Sequence, residues 1–232
     1  MISAYLLTNN LTTTSSNQLL VPMTHQVTHV HSTPNGDELI AYMARVSNPD
    51  NQSNQSTAPK LIRYLIDHHH WSPFEMVNMC VEIETTRSIA AQILRHRSFS
   101  FQEFSQRYAE VSQVADIPHL RRQDTKNRQN SIDDLDDSLV AAFKFRAGVV
   151  IADSYRLYKD MVAAGVAKEC ARDVLPMGTP TRLYMNGTLR SWIHYCKLRC
   201  GNGTQLEHKM IADQCLGLIE EQFPMVYAAL DF

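Results

Sequence analysis

Alternating apolar and polar positions mark the strands of this chain, and apolar positions three or four apart mark its helices. Val77, Met79 and Val81 alternate with more polar neighbours, which predicts a strand over 77–86. Shorter alternating runs predict strands over 27–31 and 181–185. The helical spacing recurs over 35–47, 60–69, 87–96, 131–164, 168–175, 188–199 and 204–223.

Capping patterns support the starts of the first and last of these helices. Asn35, with Glu38 three residues later, predicts a capped start, and the run Thr204-Gln205-Leu206-Glu207 matches a T-x-x-E capping box. Polar and basic residues over 116–130 predict a mobile loop. Because helices outnumber strands and the two types are intermixed, we expect an α+β fold. It would form a single domain over 27–232, preceded by a poorly structured extension over 1–26.

The composition is that of an ordinary globular protein. Hydrophobic residues make up 44% of the 232 residues, and 22 basic against 24 acidic side chains give a net charge of −2, which excludes a polybasic protein. No apolar run reaches the ~18–20 residues needed to cross a bilayer. The N-terminal segment lacks a signal-peptide pattern, and the five cysteines form no C-x-x-C pair. We therefore expect a cytoplasmic protein with reduced thiols and no membrane partner.

The segment 94–108 concentrates chemically active side chains, with three arginines, one histidine and one carboxylate in 15 residues. A helix leading into it would place Gln92, Arg95 and His96 on one face. An extended continuation would place Glu103, Ser105 and Arg107 on one side. Guanidinium groups hold phosphate oxygens bidentately and stay charged at any working pH. The pattern favours a phosphate-bearing ligand, although a solvated basic loop fits the composition equally well.

A second basic set lies farther along the chain. Arg190, His194 and Leu198 recur every four residues and would line one helical face. Arg172, Arg182 and Arg199 lie in the same half of the chain. Two separate basic sets in a chain of negative net charge favour a convergent pocket for an anion.

Other patterns leave an alternative function open and argue against a metal site. Phe99, Phe101, Phe104 and Tyr108 alternate with arginines, which also fits a single-stranded nucleic-acid-binding module built on 95–108. The run His68-His69-His70 places consecutive rings about 100° apart on a helix, so they do not face one ion. The pair formed by the cysteines at 196 and 200 lacks a second pair of zinc ligands nearby.

Six segments of the chain together resemble the flavin-dependent thymidylate synthases. The family signature is R-H-R, seven further residues and a serine, and this chain has Arg95-His96-Arg97 followed by Ser105 at that spacing. The other segments occur in family order; they are Ala44-Arg45-Val46-Ser47, Trp71-Ser72-Pro73-Phe74-Glu75, Glu169-Cys170-Ala171-Arg172-Asp173-Val174-Leu175-Pro176, Gly187-Thr188-Leu189-Arg190-Ser191-Trp192 with Leu198-Arg199, and Thr204-Gln205-Leu206-Glu207-His208. The chain departs from the common family pattern at Met76, Gln106, Leu189 and His194.

The resemblance implies the family's α+β fold, a mixed sheet with helices, in a homotetramer whose active sites are shared between subunits. It implies reductive methylation of dUMP to dTMP, with methylenetetrahydrofolate as one-carbon donor and FAD, reduced by NADPH, as hydride carrier. No metal and no nucleic acid would take part. Arg199 would stabilise the N3-deprotonated uracil, and no enzyme nucleophile would be needed, because the sequence places no base beside Ser105.

Carried over position by position, the resemblance implies two sets of binding residues. The dUMP-binding set would be Gln92, Arg95, Glu103, Phe104, Ser105, Gln106, Arg107, Arg172 and Arg199. The FAD-binding set would be Ser47, Ser72, Glu75, Arg95, His96, Arg97, Glu103, Thr188, Leu189, Arg190 and His194.

Overall fold

A computed structural model of the chain describes residues 25–115 and 117–231. Its strands are β1 (Gln26–Ser32), β2 (Asn78–Thr86), β3 (Ser100–Glu103), β4 (Arg122–Gln123), β5 (Ser131–Ile132) and β6 (Pro180–Thr188). Its α-helices are α1 (Gly36–Ala44), α2 (Ala58–Asp67), α3 (Arg87–Ile93), α4 (Asp137–Ala163), α5 (Lys168–Ala171), α6 (Leu189–Arg199), α7 (Leu206–Gln222) and α8 (Pro224–Ala228). Short 3₁₀ turns cover Pro49–Asn51, Ser72–Met76 and Arg172–Val174.

The main sheet has the strand order β1-β2-β6-β3, and each of these three pairings is antiparallel. The α+β class is confirmed, with an antiparallel sheet where the family resemblance implied a mixed one. The two central strands pair along their full length, from Asn78 opposite Thr188 to Thr86 opposite Pro180. Their inward side chains, such as Val81, Ile83 and Met185, are fully buried. Antiparallel pairing lets each strand continue directly into a helix at its own end.

Helices α6 and α7 complete the core on the sheet. Trp192 of α6 is fully buried, and its indole N–H donates to the carbonyl of Met79 at 2.9 Å. Ile211, Cys215 and Ile219 recur along the buried side of α7, the spacing of a helix that lays one face on a core. Among the described residues, no helix combines the length and the apolar character needed to cross a membrane.

Helix α4 lies apart from this core. Its contacts are with α5 and the 3₁₀ turn at Arg172–Val174, and Tyr158, its one buried residue, accepts a hydrogen bond from the Val111 backbone at 2.9 Å. Large apolar side chains on the rest of the helix are exposed to solvent; they are Leu139, Phe143, Phe145, Val149, Val150 and Leu157.

Several predicted boundaries are wrong for identifiable reasons. The long helix begins at Asp137 and not at residue 131, because Asp136 is the N-cap and accepts from the Ser138 and Leu139 backbones. The predicted loop over 116–130 contains β4 of a β4–β5 hairpin. The capping box at Thr204 does not form, because α7 starts one residue later and Gln205 occupies the N-cap position without a side-chain cap. Of the predicted extension over 1–26, only residues 25 and 26 lie within the described part, where β1 already includes Gln26.

Candidate active site

Strand β6 continues into helix α6 without a loop, and this junction organises the site. Thr188 ends the strand, and its hydroxyl accepts from the Ser191 backbone as the N-cap of the helix. The Leu189 backbone N–H donates to the Val77 carbonyl at 2.7 Å, which ties the first turn of α6 to the start of β2. The helix therefore has a fixed direction relative to the sheet. Its residues 190, 194 and 197, spaced by four and three, lie along one face.

A cavity of about 510 Å³ opens against this face of α6. Its lining includes Trp71, Glu75, Thr188, Arg190, His194 and Lys197. The volume is in the range of cofactor pockets, roughly 300–1,000 Å³. The structure thus brings together four residues predicted to bind the cofactor, at 75, 188, 190 and 194. Trp71 and Lys197 were not predicted, although Lys197 continues the helical spacing from Arg190.

Glu75 is the acidic group of this cavity and is fully engaged. Its two carboxylate oxygens accept from Arg190 at 2.6 Å and from the Thr188 hydroxyl at 3.0 Å. The hydrogen bond from Arg190 lowers the pKa of Glu75, against a smaller opposite effect of burial. Lys197 has no ion-pair partner among residues 25–115 and 117–231. The cavity therefore presents an uncompensated positive charge to an anionic ligand.

Seven predicted cofactor residues are not among those that line this cavity; they are Ser47, Ser72 and Leu189, and, described below, Arg95, His96, Arg97 and Glu103. Ser47 lines a different cavity with Arg45, and Ser72 is exposed, although it shares the 3₁₀ turn of Glu75. The Leu189 side chain is fully buried. The assignment of Leu189 to the flavin pocket stays a prediction, and its side chain takes the first inward position of α6, where it packs in the core.

Arg199, at the last position of α6, lies beside His96 of the R-H-R segment. Its Nε–H donates to His96 Nε2 at 3.0 Å, and the His96 ring packs edge-on against Tyr195 with centroids 4.9 Å apart. Burial, with the neighbouring Arg199 charge, lowers the pKa of His96 to about 4. His96 is thus a neutral acceptor at working pH. No carboxylate pairs with Arg199 in the described residues, so its two Nη groups remain available to a ligand.

The other two arginines of the R-H-R segment face solvent. Helix α3 ends at Ile93, and Arg95 and Arg97 follow in a turn rather than on the predicted helical face. Both are exposed, and neither forms an ion pair within the described part of the chain. Their charges are therefore free for an external anion.

The segment after β3 bends instead of staying extended. Glu103 is held beside β6 by a hydrogen bond from the Thr181 hydroxyl at 3.0 Å. The chain then turns, since the Tyr108 and Ala109 backbones both donate to the Ser105 carbonyl at 3.1 Å. The predicted alternation of Glu103, Ser105 and Arg107 on one side is wrong because this turn reverses the chain.

The turn brings the remaining predicted nucleotide residues toward α5. Arg107 Nε–H donates to Glu169 at 3.1 Å, and Arg172 lies in the next turn, with Asp173 at 4.0 Å. Gln106 is buried and accepts from Arg87. Phe104 is exposed and lines a small cavity of about 150 Å³ with Thr181 and other residues.

The aromatic series that suggested nucleic-acid binding is divided between core and surface. Phe99 is buried against Trp192, with ring centroids 4.8 Å apart, and Phe101 packs against the same core. These two rings are therefore not a stacking platform for bases. Within the described residues, no group of His, Cys, Asp or Glu side chains is arranged to hold a metal ion.

A run of polar side chains that extends from the buried core to the surface, here called the polar chain, starts behind the His96–Arg199 pair and was missed by the sequence analysis. His208 is fully buried and contacts Tyr195 Oη at 3.1 Å and Gln92 Oε1 at 3.3 Å. Gln92 donates to Gln205 at 2.7 Å, and Gln205 donates to Glu207 at 2.9 Å. Of its members, only Gln92 was a predicted site residue.

Arg121 closes the polar chain with a bidentate ion pair to Glu207, at 2.8 and 3.1 Å. The two side chains are only 10% and 8% exposed. Burial would raise the pKa of Glu207, but the hydrogen bond from Arg121 outweighs it and lowers the pKa. The Glu207 carboxylate is therefore ionised, and the polar chain ends at this fixed negative charge.

Comparison with known proteins assigns the family. The family model described as "Thymidylate synthase complementing protein" matches residues 28–225. The chain is 50% identical to the probable flavin-dependent thymidylate synthase of Paramecium bursaria Chlorella virus 1 over 84% of this chain and 91% of the relative. It is 52% identical to the flavin-dependent thymidylate synthase of a Synechocystis strain, over 84% and 89% of the two chains.

Among solved structures, the chain resembles the UMP/dUMP methylase PolB from Streptomyces cacaoi bound with 5-Br dUMP. The TM-score is 0.80 at 26% sequence identity, over 90% of this chain and 95% of that one. A family model that covers most of the chain and relatives at half identity over nearly their whole length agree with this structural match. The chain belongs to the flavin-dependent thymidylate synthase family.

Proposed function

We propose that this protein converts dUMP to dTMP by reductive methylation, with methylenetetrahydrofolate as one-carbon donor and FAD, reduced by NADPH, as hydride carrier. The observation that carries the proposal is that one rigid helix, α6, presents both a cationic cavity and a guanidinium without an acidic partner. The family relatives named flavin-dependent thymidylate synthase support the reaction, and the dUMP-analogue complex of PolB supports the nucleotide.

The cavity on α6 fits a flavin. Trp71 supplies apolar surface for a ring system, while Arg190 and Lys197 supply charge for phosphates. Arg95, His96 and Arg97 lie next to Ser98, which also lines the cavity. When bound, FAD supplies the redox chemistry that side chains lack. The residues of this chain bind and orient it, and Glu75 holds Arg190 in place.

Arg199 is the proposed catalytic residue. The bond from its Nε–H to neutral His96 holds the guanidinium in place, and its Nη groups have no acidic partner among the described residues. A fixed positive charge beside a uracil ring favours the N3-deprotonated form and polarises the C5–C6 bond for methylation. His96 acts as a positioning residue, because its unprotonated Nε2 is the acceptor that holds Arg199.

The arrangement supports a mechanism without an enzyme nucleophile. Ser105 makes no side-chain hydrogen bond to a histidine or carboxylate within the described residues, so no base activates its hydroxyl. Burial raises the pKa of the Cys80 and Cys215 thiols, which keeps them protonated. We assign Ser105 to phosphate binding, together with Arg107 and Arg172.

We further propose a cytoplasmic homotetramer with shared sites. The predicted dUMP residues of one chain are spread over two regions, since Arg199 lies at the end of α6 while Arg107 and Arg172 lie near α5. The exposed apolar residues of α4 give a second copy a surface to bury. A second chain packed against α4 would then contribute residues to a site shared by the two chains.

The visible spectrum of the purified protein tests this function. We expect flavin bands that bleach anaerobically when NADPH and dUMP are added, and dTMP after methylenetetrahydrofolate is supplied. Arg190→Ala should lower the flavin content, whereas Arg63→Ala should not, because Arg63 is bound to Asp231 and the Ala228 carbonyl and does not line the cavity. A protein that stays colourless after FAD is added would overturn the proposal.

A further inference from the structure

The hydrogen bonds of the polar chain run in one donor-to-acceptor direction, which follows from the protonation state of its central residue, His208. This ring is fully buried, and burial, with the nearby charges of Arg199 and His96, lowers its pKa to about 3. A neutral imidazole has one donor nitrogen and one acceptor nitrogen. Nδ1 faces Gln92 Oε1, which only accepts, so Nδ1 carries the proton. Nε2 is then the acceptor for the Tyr195 hydroxyl.

The same donor-to-acceptor direction continues from Gln92 to Glu207, at the far end of the polar chain. Gln92 uses its Nε2–H to donate to Gln205 Oε1, and Gln205 donates in turn to the Glu207 carboxylate. The carboxylate only accepts, and Arg121 holds it in place from the other side. Each amide therefore has one orientation, because a flip of either would set donor against donor and acceptor against acceptor.

Gln92 keeps one unused amide hydrogen, as well as the second lone pair of its oxygen. Its oxygen is engaged by His208, and one of its two amide hydrogens is engaged by Gln205. The second amide hydrogen remains, on a side chain that is only partly buried. Gln92 therefore offers a donor to whatever binds beside it.

We propose that His208 is a positioning residue that fixes Gln92 as a hydrogen-bond donor toward the nucleotide, so that the ligand atom facing Gln92 is an acceptor oxygen. The inference rests on the proposed function, since Gln92 belongs to the proposed dUMP set. A carbonyl, sugar or phosphate oxygen of a nucleoside monophosphate satisfies this requirement, and an N–H group does not.

His208 differs in polarity from the inward residues that follow it on α7. The neighbouring inward residues of α7, Ile211, Ala212, Cys215 and Ile219, are mostly apolar. A buried polar ring among them is unfavourable unless both its nitrogens are bonded. Both are bonded here, and one of the two bonds reaches the edge of the proposed site.

The test compares His208→Leu with His208→Asn by titrating the FAD-loaded enzyme with dUMP in a calorimeter. Asparagine retains an N–H near the place of Nδ1, whereas leucine retains none. We expect roughly tenfold weaker dUMP binding for leucine, the loss of about one oriented hydrogen bond, and much of the affinity restored by asparagine. Ile219→Val is the control, since it perturbs the same helix without touching the polar chain.

A double substitution separates positioning from general damage. If His208 acts through Gln92, His208→Leu should change dUMP affinity little once Gln92→Ala is present. Unchanged dUMP affinity in His208→Leu, or losses that add fully to Gln92→Ala, would overturn the inference. Wild-type enzyme that binds no dUMP would instead overturn the proposed function.

A measurement on the wild-type holoenzyme covers the case in which the leucine variant does not fold. Nitrogen-15 NMR of labelled histidine should show His208 as the Nδ1–H tautomer, without titration across neutral pH. The Nε2–H tautomer would overturn the inference.

Discussion

Two adjacent arginines of the β4 region offer a stringent test of how burial sets the strength of an ion pair. Arg121 pairs bidentately with Glu207, and Arg122 pairs bidentately with Asp134 at 2.8 and 2.6 Å. The first pair is 10% and 8% exposed, and the second is 43% and 44% exposed. The chemistry of the two pairs is the same, so a difference between their effects isolates burial.

Glu207→Gln keeps the shape of the side chain and removes its charge, which leaves the Arg121 guanidinium buried without a counter-charge. Removing one partner of a buried pair destabilises a protein by about 3–5 kcal/mol. At about 2–4 °C per kcal/mol for a chain of this length, the unfolding midpoint should fall by about 6–20 °C. Asp134→Asn should leave the midpoint nearly unchanged, because water already solvates and screens that pair.

Differential scanning calorimetry of the two variants and the wild type at neutral pH gives the comparison directly. Replacing the buried pair as a whole, with Arg121→Met and Glu207→Leu together, should recover much of the lost stability, since no charge is then left unpaired. Equal midpoints for Glu207→Gln and Asp134→Asn would refute the reasoning.

Three further predictions follow from other parts of the structure. Arg199→Ala should lower kcat by about 10²–10³-fold while flavin content is kept, measured by dTMP formation; near wild-type turnover would contradict its role. Gly187→Ala places a methyl group 2.4 Å from the buried Phe99 ring and should destabilise by about 1–3 kcal/mol, whereas Gly217→Ala, with open space around it in α7, should stabilise slightly; urea unfolding distinguishes them. Because the pKa of His96 lies at about 4, below its ordinary 6.5, its contribution to stability should be complete above pH 6.5 and lost as the pH falls toward 4. A His96→Gln variant should therefore show a weaker pH dependence of unfolding than the wild type, with the part due to buried His208 remaining.

The elements whose signals are local were predictable from the sequence. Strand β2 and helix α6 follow from alternation and four-residue spacing. The same spacing predicts one helical face for Arg190 and His194, and both line the cavity on α6. The start of α4 was not predictable by the same means. His119 binds Asp133 and Arg122 binds Asp134, so tertiary pairs hold these two aspartates in the hairpin and leave Asp136 as the cap.

The polar chain was beyond sequence reasoning for a similar reason. Gln92 and Gln205 are 113 positions apart, and each is unremarkable in its own segment. The Glu207 side chain looked like a capping residue because the local pattern fits a capping box, but the longer-range bond to Arg121 is available and prevails. The sequence does not show whether a histidine is neutral, because its protonation state depends on its burial in the folded protein.

The direct junction of β6 and α6 has a consequence for how this enzyme can change over evolutionary time. A helix joined to a sheet by a loop can tilt, and a new ligand can be accommodated by shifting the backbone. Here the backbone bond from Leu189 to Val77 and the Thr188 cap remove that freedom. New substrate preferences must therefore arise by exchanging side chains on a fixed frame, one position at a time, at 190, 194, 197 and 199.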